Sequence, residues 1–182
     1  MSLGNVHRNC ALCPAILSDT ESYHFERTAS TNNADKFCQA ICAFSNDLPG
    51  SRENGYLILG VLDNGKLSGL KVDDKLLLQI SNIRTDGNIL PQPGMTVDKF
   101  NFENGDVLVA EVQPSGFPPV RYKSRVWVRV GPRKSIASEA EEKILTERRL
   151  SNVHTFDAMF RYYPPRSGRI AYQKRIPIKS SS

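Results

Sequence analysis

The stretch Tyr56 to Asp63 reads YLILGVLD and runs directly into Asn64-Gly65. A nearly continuous apolar run of strand length suits a central β-strand covered on both faces, because a strand with one wet face would alternate polar and apolar residues. Asn64-Gly65 is the strongest short signal for a tight hairpin, so Lys66 to Lys71 is expected as the return strand. A strand buried on both sides needs a layer above and a layer below, and the flanking sequence has to supply them.

It contains the necessary pieces. Tyr23 and Phe25 alternate with polar neighbours in Glu21 to Thr28, which predicts a strand. Asn32 or Asn33 caps a helix running to about Asn46, with Phe37, Ala40, Ile41 and Phe44 at the spacing of one buried face. Pro49, Gly50 and Gly55 make Asp47 to Gly55 a surface loop. Asp73 or Asp74 caps a second helix with the stripe Leu76, Leu77, Ile80 and Ile83, closed by Gly87, Pro91 and Pro93. Val97 to Phe102 and Val107 to Gln113 flank Asn104-Gly105 as a second hairpin. A proline-rich crossing, Pro114 to Pro119, precedes a strand from Arg125 to Val130. Ser138-Glu139-Ala140-Glu141 is a capping box that opens a third helix to about Leu150. The order β-α-β-β-α-β-β-β-α predicts an α+β domain with three helices and a mixed, largely antiparallel sheet. Residues 1–18 are expected as a loosely ordered leader, 19–150 as the domain, and 151–182 as a basic tail or truncated linker.

A hydrophobic share of 40% in 182 residues is enough for one core, which excludes global disorder and fibrous classes. No run approaches the roughly 18 apolar residues of a spanning helix, and the start MSLGNVHRN lacks the apolar middle of a secretory signal, so no membrane partner is expected. The net charge of +5 is unevenly placed. Between Leu150 and Ser182 stand Arg161, Arg166, Arg169, Lys174, Arg175 and Lys179 against Asp157 alone, so that stretch carries all of it. With Pro164, Pro165, Pro177 and a final run of serines it reads as extended and solvated. Cys38 and Cys42 lie on one helix as small core residues. His7, Cys10 and Cys13 have a spacing that can offer three zinc ligands, but no second half-site follows, and a reduced, cytoplasmic protein is the better reading.

Two constellations carry chemistry. Glu21, Glu26 and Asp63 lie at the start, the middle and the end of predicted strands. Carboxylates that converge need a cation to stay ionised together, and hard ions with oxygen ligands, Mg²⁺ or Mn²⁺, suit them and can activate water against a phosphodiester. Each residue also has a plainer reading. Asp63 suits the turn before Asn64-Gly65, Glu26 suits pairing with Arg27 or a basic residue across the sheet, and Glu21 suits solvent. Glu21 and Glu26 point to opposite faces of a regular strand, so convergence needs a bulge or bend.

The second constellation is Arg121, Lys123, Arg125, Arg129, Arg133 and Lys134, with no acidic residue between Pro118 and Lys134. Val126, Val128 and Val130 share one face, which leaves Trp127 between Arg125 and Arg129 on the other. Basic groups interleaved with an aromatic suit phosphates and stacked bases of DNA or RNA, bound with strong salt dependence. The plainer readings are a solvated face with Arg129 paired to an acidic strand neighbour, or a surface for homo-oligomer contacts. Gly60, Gly65 and Gly69 match neither a P-loop nor a dinucleotide fingerprint, and no Ser or Cys nucleophile can be matched to a supported His.

In order along the chain, ESYHFERT, CAFSND, GYLILGVLDNGKLSGL, DGNILPQPGM, VLVAEVQPSGFPPVRY and RVWVRVGPRKSIASEAEEKILTERR resemble the divergent AlbA-type domain shared by bacterial transcriptional regulators and the Schlafen proteins. The resemblance covers about Thr20 to Arg149 and is nearest to the bacterial subgroup. It implies nucleic-acid binding and, in that subgroup, a downstream ATPase-like or winged-helix part holding any ATP-related activity. In the Schlafen branch it implies an RNA-cleaving, metal-dependent site of two Glu and one Asp, matched here by Glu21, Glu26 and Asp63. Arg27 stands where the family usually has Lys, the Asp47 to Gly55 loop is longer than the family's, and the Schlafen paired halves and zinc site have no counterpart.

Overall fold

The computed structural model describes residues 23–162, and side chains through residue 151. The leader with His7, Cys10 and Cys13, and the carboxylate of Glu21, lie outside the described residues. The chain runs β1 (Phe25–Thr28), α1 (Ala34–Asn46), β2 (Gly55–Leu59), α2 (Asp74–Asn82), β3 (Ile89–Leu90), β4 (Gly94–Phe102), β5 (Gly105–Gln113), β6 (Arg121–Tyr122), β7 (Arg125–Val130), β8 (Arg133–Ile136) and α3 (Glu139–Tyr162). The α+β class holds, but the strands divide into two sheets of order β1-β2-β5-β4 and β3-β6-β7-β8. The first is mixed, with β1 parallel to β2, and the second is antiparallel throughout.

Helix α1 lies between the sheets, touching β2 and β5 of one and β6, β7 and β8 of the other. It is therefore apolar beyond the single stripe its spacing suggests: Cys38, Cys42 and Ala43 are buried along with Phe37, Ala40, Ile41 and Phe44. The Asn33 side chain caps it by accepting from Lys36 N at 3.2 Å. At its far end Asn46 is buried and holds the second sheet. Its Nδ2 donates to the carbonyls of Val120 (2.9 Å) and Trp127 (2.8 Å), and its Oδ1 accepts from Val120 N at 2.7 Å. Arg148 of α3 donates to the carbonyls of Asn46, Asp47 and Leu48, satisfying groups that a helix C-terminus leaves open.

One contact ties α1 to the first sheet through the lack of a side chain. A Cβ on Gly55 would stand 2.2 Å from the Phe44 ring, so only glycine lets that ring lie on the start of β2.

Several sequence expectations change: β2 ends at Leu59, which leaves Asp63 in the loop beyond it, and the short strands β3, β6 and β8 join the expected order. Lys66 to Lys71 forms no strand, and only a Val61–Leu67 bridge remains. Both edges of β2 are already paired, to β1 and β5, so no ladder is free for a return strand. The second hairpin turns at Glu103-Asn104 with Phe102 opposite Gly105, one residue earlier than Asn104-Gly105. Helix α3 passes Leu150 and continues to Tyr162, since no Pro or Gly intervenes before Pro164. No helix among the described residues is long and apolar enough to cross a membrane.

Candidate nucleic-acid interface

Arg129 and Lys134 are directly opposed in the β7–β8 register, so both side chains leave the same face of that hairpin. The face looks toward α1 and β1, and there both cations meet Glu26. Arg129 Nη1 lies 2.5 Å from Glu26 Oε2, and Lys134 Nζ pairs with Oε1. Arg129 is 5% exposed. Its Nη2 donates to the carbonyls of Phe25 (3.3 Å) and Pro132 (3.1 Å), and its guanidinium lies 5.0 Å from the centre of the Phe44 ring. Burial pushes the Arg129 pKa down and the Glu26 charge opposes the shift. Lys134 also donates to Lys36 O at 3.3 Å. Gly55, Phe44 and Arg129 thus form one column from the first sheet through α1 to the second, closed by Glu26.

The remaining basic residues separate. Arg121 faces the α3 side and pairs with Glu142 at 2.8 Å. Lys123 occupies a two-residue turn with Ser124, both at positive φ (48° and 65°), a backbone that non-glycine residues adopt at some cost. From there its Nζ reaches Asp35 Oδ1 at 2.8 Å, and the Tyr122 hydroxyl donates to the same carboxylate. The Lys123 hydrogen bond first, then that of Tyr122, holds the Asp35 pKa below its ordinary value. Trp127 is half-buried and packs on the core around α1, not on solvent. Arg125 and Arg133 are exposed and form no ion pair among the described residues. The row of six cations around one aromatic is therefore split by the pleat over two faces, and four of the six meet a carboxylate.

Glu26 and Asp63 do come together, in a cleft of about 240 Å³ lined also by Phe25, Arg27, Arg129, Pro132 and Lys134. Asp63 is exposed. Both Glu26 oxygens are taken by cations, and no group of three His, Cys, Asp or Glu side chains converges among the described residues. Among the described residues, two positive charges already stand beside Glu26 where Mg²⁺ or Mn²⁺ would neutralise it, and Glu21, the third expected ligand, lies outside them.

Sequence reasoning picked out Glu26, Arg129, Lys134 and Asp63 but assigned them to two separate sites. It gave no site role to Asp35, Phe44, Asn46 or Gly55. The only local signal for the last was a glycine opening an apolar strand, a position where a close approach is common.

A small domain with two sheets around one buried helix, and a mixed-charge cleft at the junction of its sheets, is the class this geometry defines. Residues 21–138 match the family Schlafen, AlbA_2, and the chain belongs to it. Among solved structures it is similar to the DIP2311 protein from Corynebacterium diphtheriae, at 24% identity and a TM-score of 0.46. That match covers 67% of this chain and 26% of the other, so the chain spans about a quarter of that protein. No curated protein matches the chain.

Proposed function

We propose that this domain binds the phosphate backbone of DNA or RNA along the β7–β8 hairpin and its cleft with β1, as the nucleic-acid-binding module of a larger transcriptional regulator. The observation that carries the reading is the state of the hairpin's charges. Glu26 fixes Arg129 and Lys134 in place, while Arg125 and Arg133 stand exposed with no acidic partner among the described residues. Arg27 and Lys134 line the adjoining cleft. Arg129 is a positioning residue here, and Arg121 and Lys123 contribute as charges already balanced by Glu142 and Asp35. Family membership supports a role on nucleic acid.

Contacts of this kind release counterions, so the logarithm of affinity falls with the logarithm of salt by roughly 0.7–0.9 per phosphate neutralised. Fluorescence anisotropy on short DNA and RNA across a salt series tests this. Replacing Arg125→Ala together with Arg133→Ala is expected to flatten the slope by about 1.5 on that scale. An unchanged slope and affinity would remove the hairpin from the interface.

A further inference from the structure

Arg129 stands in the wall between two cavities of opposite character. One is the polar cleft with Glu26, Arg27 and Lys134. The other, of about 230 Å³, is bounded by Tyr23, Phe44, Leu48, Pro49 and Gly55 and by Arg129 itself, and its lining is mostly apolar.

The polar groups around this second cavity are largely occupied. The Asp47 carboxylate accepts from Ser51 N, Ser51 Oγ and Arg52 N. His24 Nε2 lies 3.0 Å from a Glu53 oxygen. What remains is mostly ring faces and aliphatic groups, together with the buried Arg129 Nε, and Tyr23 keeps 45% of its surface exposed. Pockets for drug-sized ligands begin at about 300 Å³, so this one suits a single planar ring system. The neighbouring cleft adds a cation with spare capacity. An ammonium has three donors, and Lys134 uses two among the described residues, on Glu26 and Lys36 O.

A mostly apolar cavity beside a cleft lined by Arg27 and Lys134, as well as by Glu26 and Asp63, suits a base joined to its phosphate. Resting on the backbone reading above, we propose that the Tyr23–Phe44 cavity takes one unstacked nucleobase of a single-stranded nucleic acid, with its phosphate held in the cleft by Lys134. Paired bases in a duplex cannot enter. Recognition of ring faces with few edge groups gives little base preference.

The test is anisotropy of the full chain with three labelled probes of equal length: a mixed-sequence single strand, an abasic strand with the same phosphates, and the duplex. The base-bearing strand is expected to bind about tenfold tighter than the other two. Tyr23→Ala is expected to close the gap to the abasic strand without changing abasic affinity, and Tyr23→Phe to restore it. Equal affinity for intact and abasic strands overturns the base cavity and leaves the backbone reading standing. Binding to none of the probes overturns both. A gap that survives Tyr23→Ala with the fold intact also overturns the cavity.

Discussion

Glu26 of β1 and Arg129 of β7 belong to different sheets and meet at 2.5 Å, 103 positions apart in the chain. The pair is mostly shielded from water, with side chains 21% and 5% exposed, and Lys134 completes it. Such a bond joins the two layers directly, beside α1.

Glu26→Ala leaves the Arg129 guanidinium buried without its counter-ion, and removal of one partner from a buried pair is costly. A loss of about 3 kcal/mol is expected, read as a lower urea midpoint. Replacing both residues, Glu26→Gln with Arg129→Met, is expected to cost less than Glu26→Ala alone, because no charge is stranded. A double variant that is the weaker of the two would show that the pair stabilises on its own account.

Asn46 satisfies Val120 on both its N–H and C=O and Trp127 on its C=O. Asn46→Leu strands these buried groups and is expected to destabilise by about 3 kcal/mol. Asn46→Asp keeps the acceptor but sets a carboxylate oxygen against two carbonyls, so it is expected to be at least as harmful at neutral pH and to recover as acid protonates it. Urea curves at two pH values measure both effects.

The thiols of Cys38 and Cys42 are pushed up by burial to about 11 and about 12. An unfolded thiol ionises near its ordinary value of 9.0 while the folded ones stay neutral, so unfolding releases protons above that pH. Stability is therefore full below about 9 and falls as pH rises toward the folded values. At pH 8 a thiol reagent is expected to leave both cysteines unmodified until denaturant is added, as mapped by mass spectrometry. Rapid labelling of either one in the native protein would contradict their burial.

Glu26 faces two cations, and the described carboxylates do not form a trio. Incubation with tRNA and Mn²⁺ is expected to leave the RNA full length. A product ladder that disappears in Glu26→Gln would show instead that Glu26 exchanges its ion pairs for a metal.

Local signals were the legible ones. Asn33 and Asp73 cap their helices as their positions imply, and Ser138 with Glu141 forms the reciprocal box, Ser138 N donating to Glu141 Oε2 at 2.7 Å. These depend on residues three apart and survive any tertiary arrangement. The return strand after Asn64-Gly65 failed for the opposite reason. Whether β2 had a free edge was settled by β1 and β5, and nothing near Lys66 encodes that. The candidate site divides in the same way. Residue types and alternation picked out Glu26, Asp63, Arg129 and Lys134, but their pairing depended on which sheet faces which.

The apolar run YLIL by itself implied a strand covered on both sides, because a strand with one wet face would alternate polar and apolar residues. Tertiary structure alone decided what covers it and what that does to charge. By lodging α1 between two sheets it turned one face of β7 inward. Arg129 was then desolvated, and a buried guanidinium is tolerated only with a counter-ion, which here is Glu26. A row of cations in sequence thus became an ion-paired seam, beside which Arg125 and Arg133 have no ion pair among the described residues.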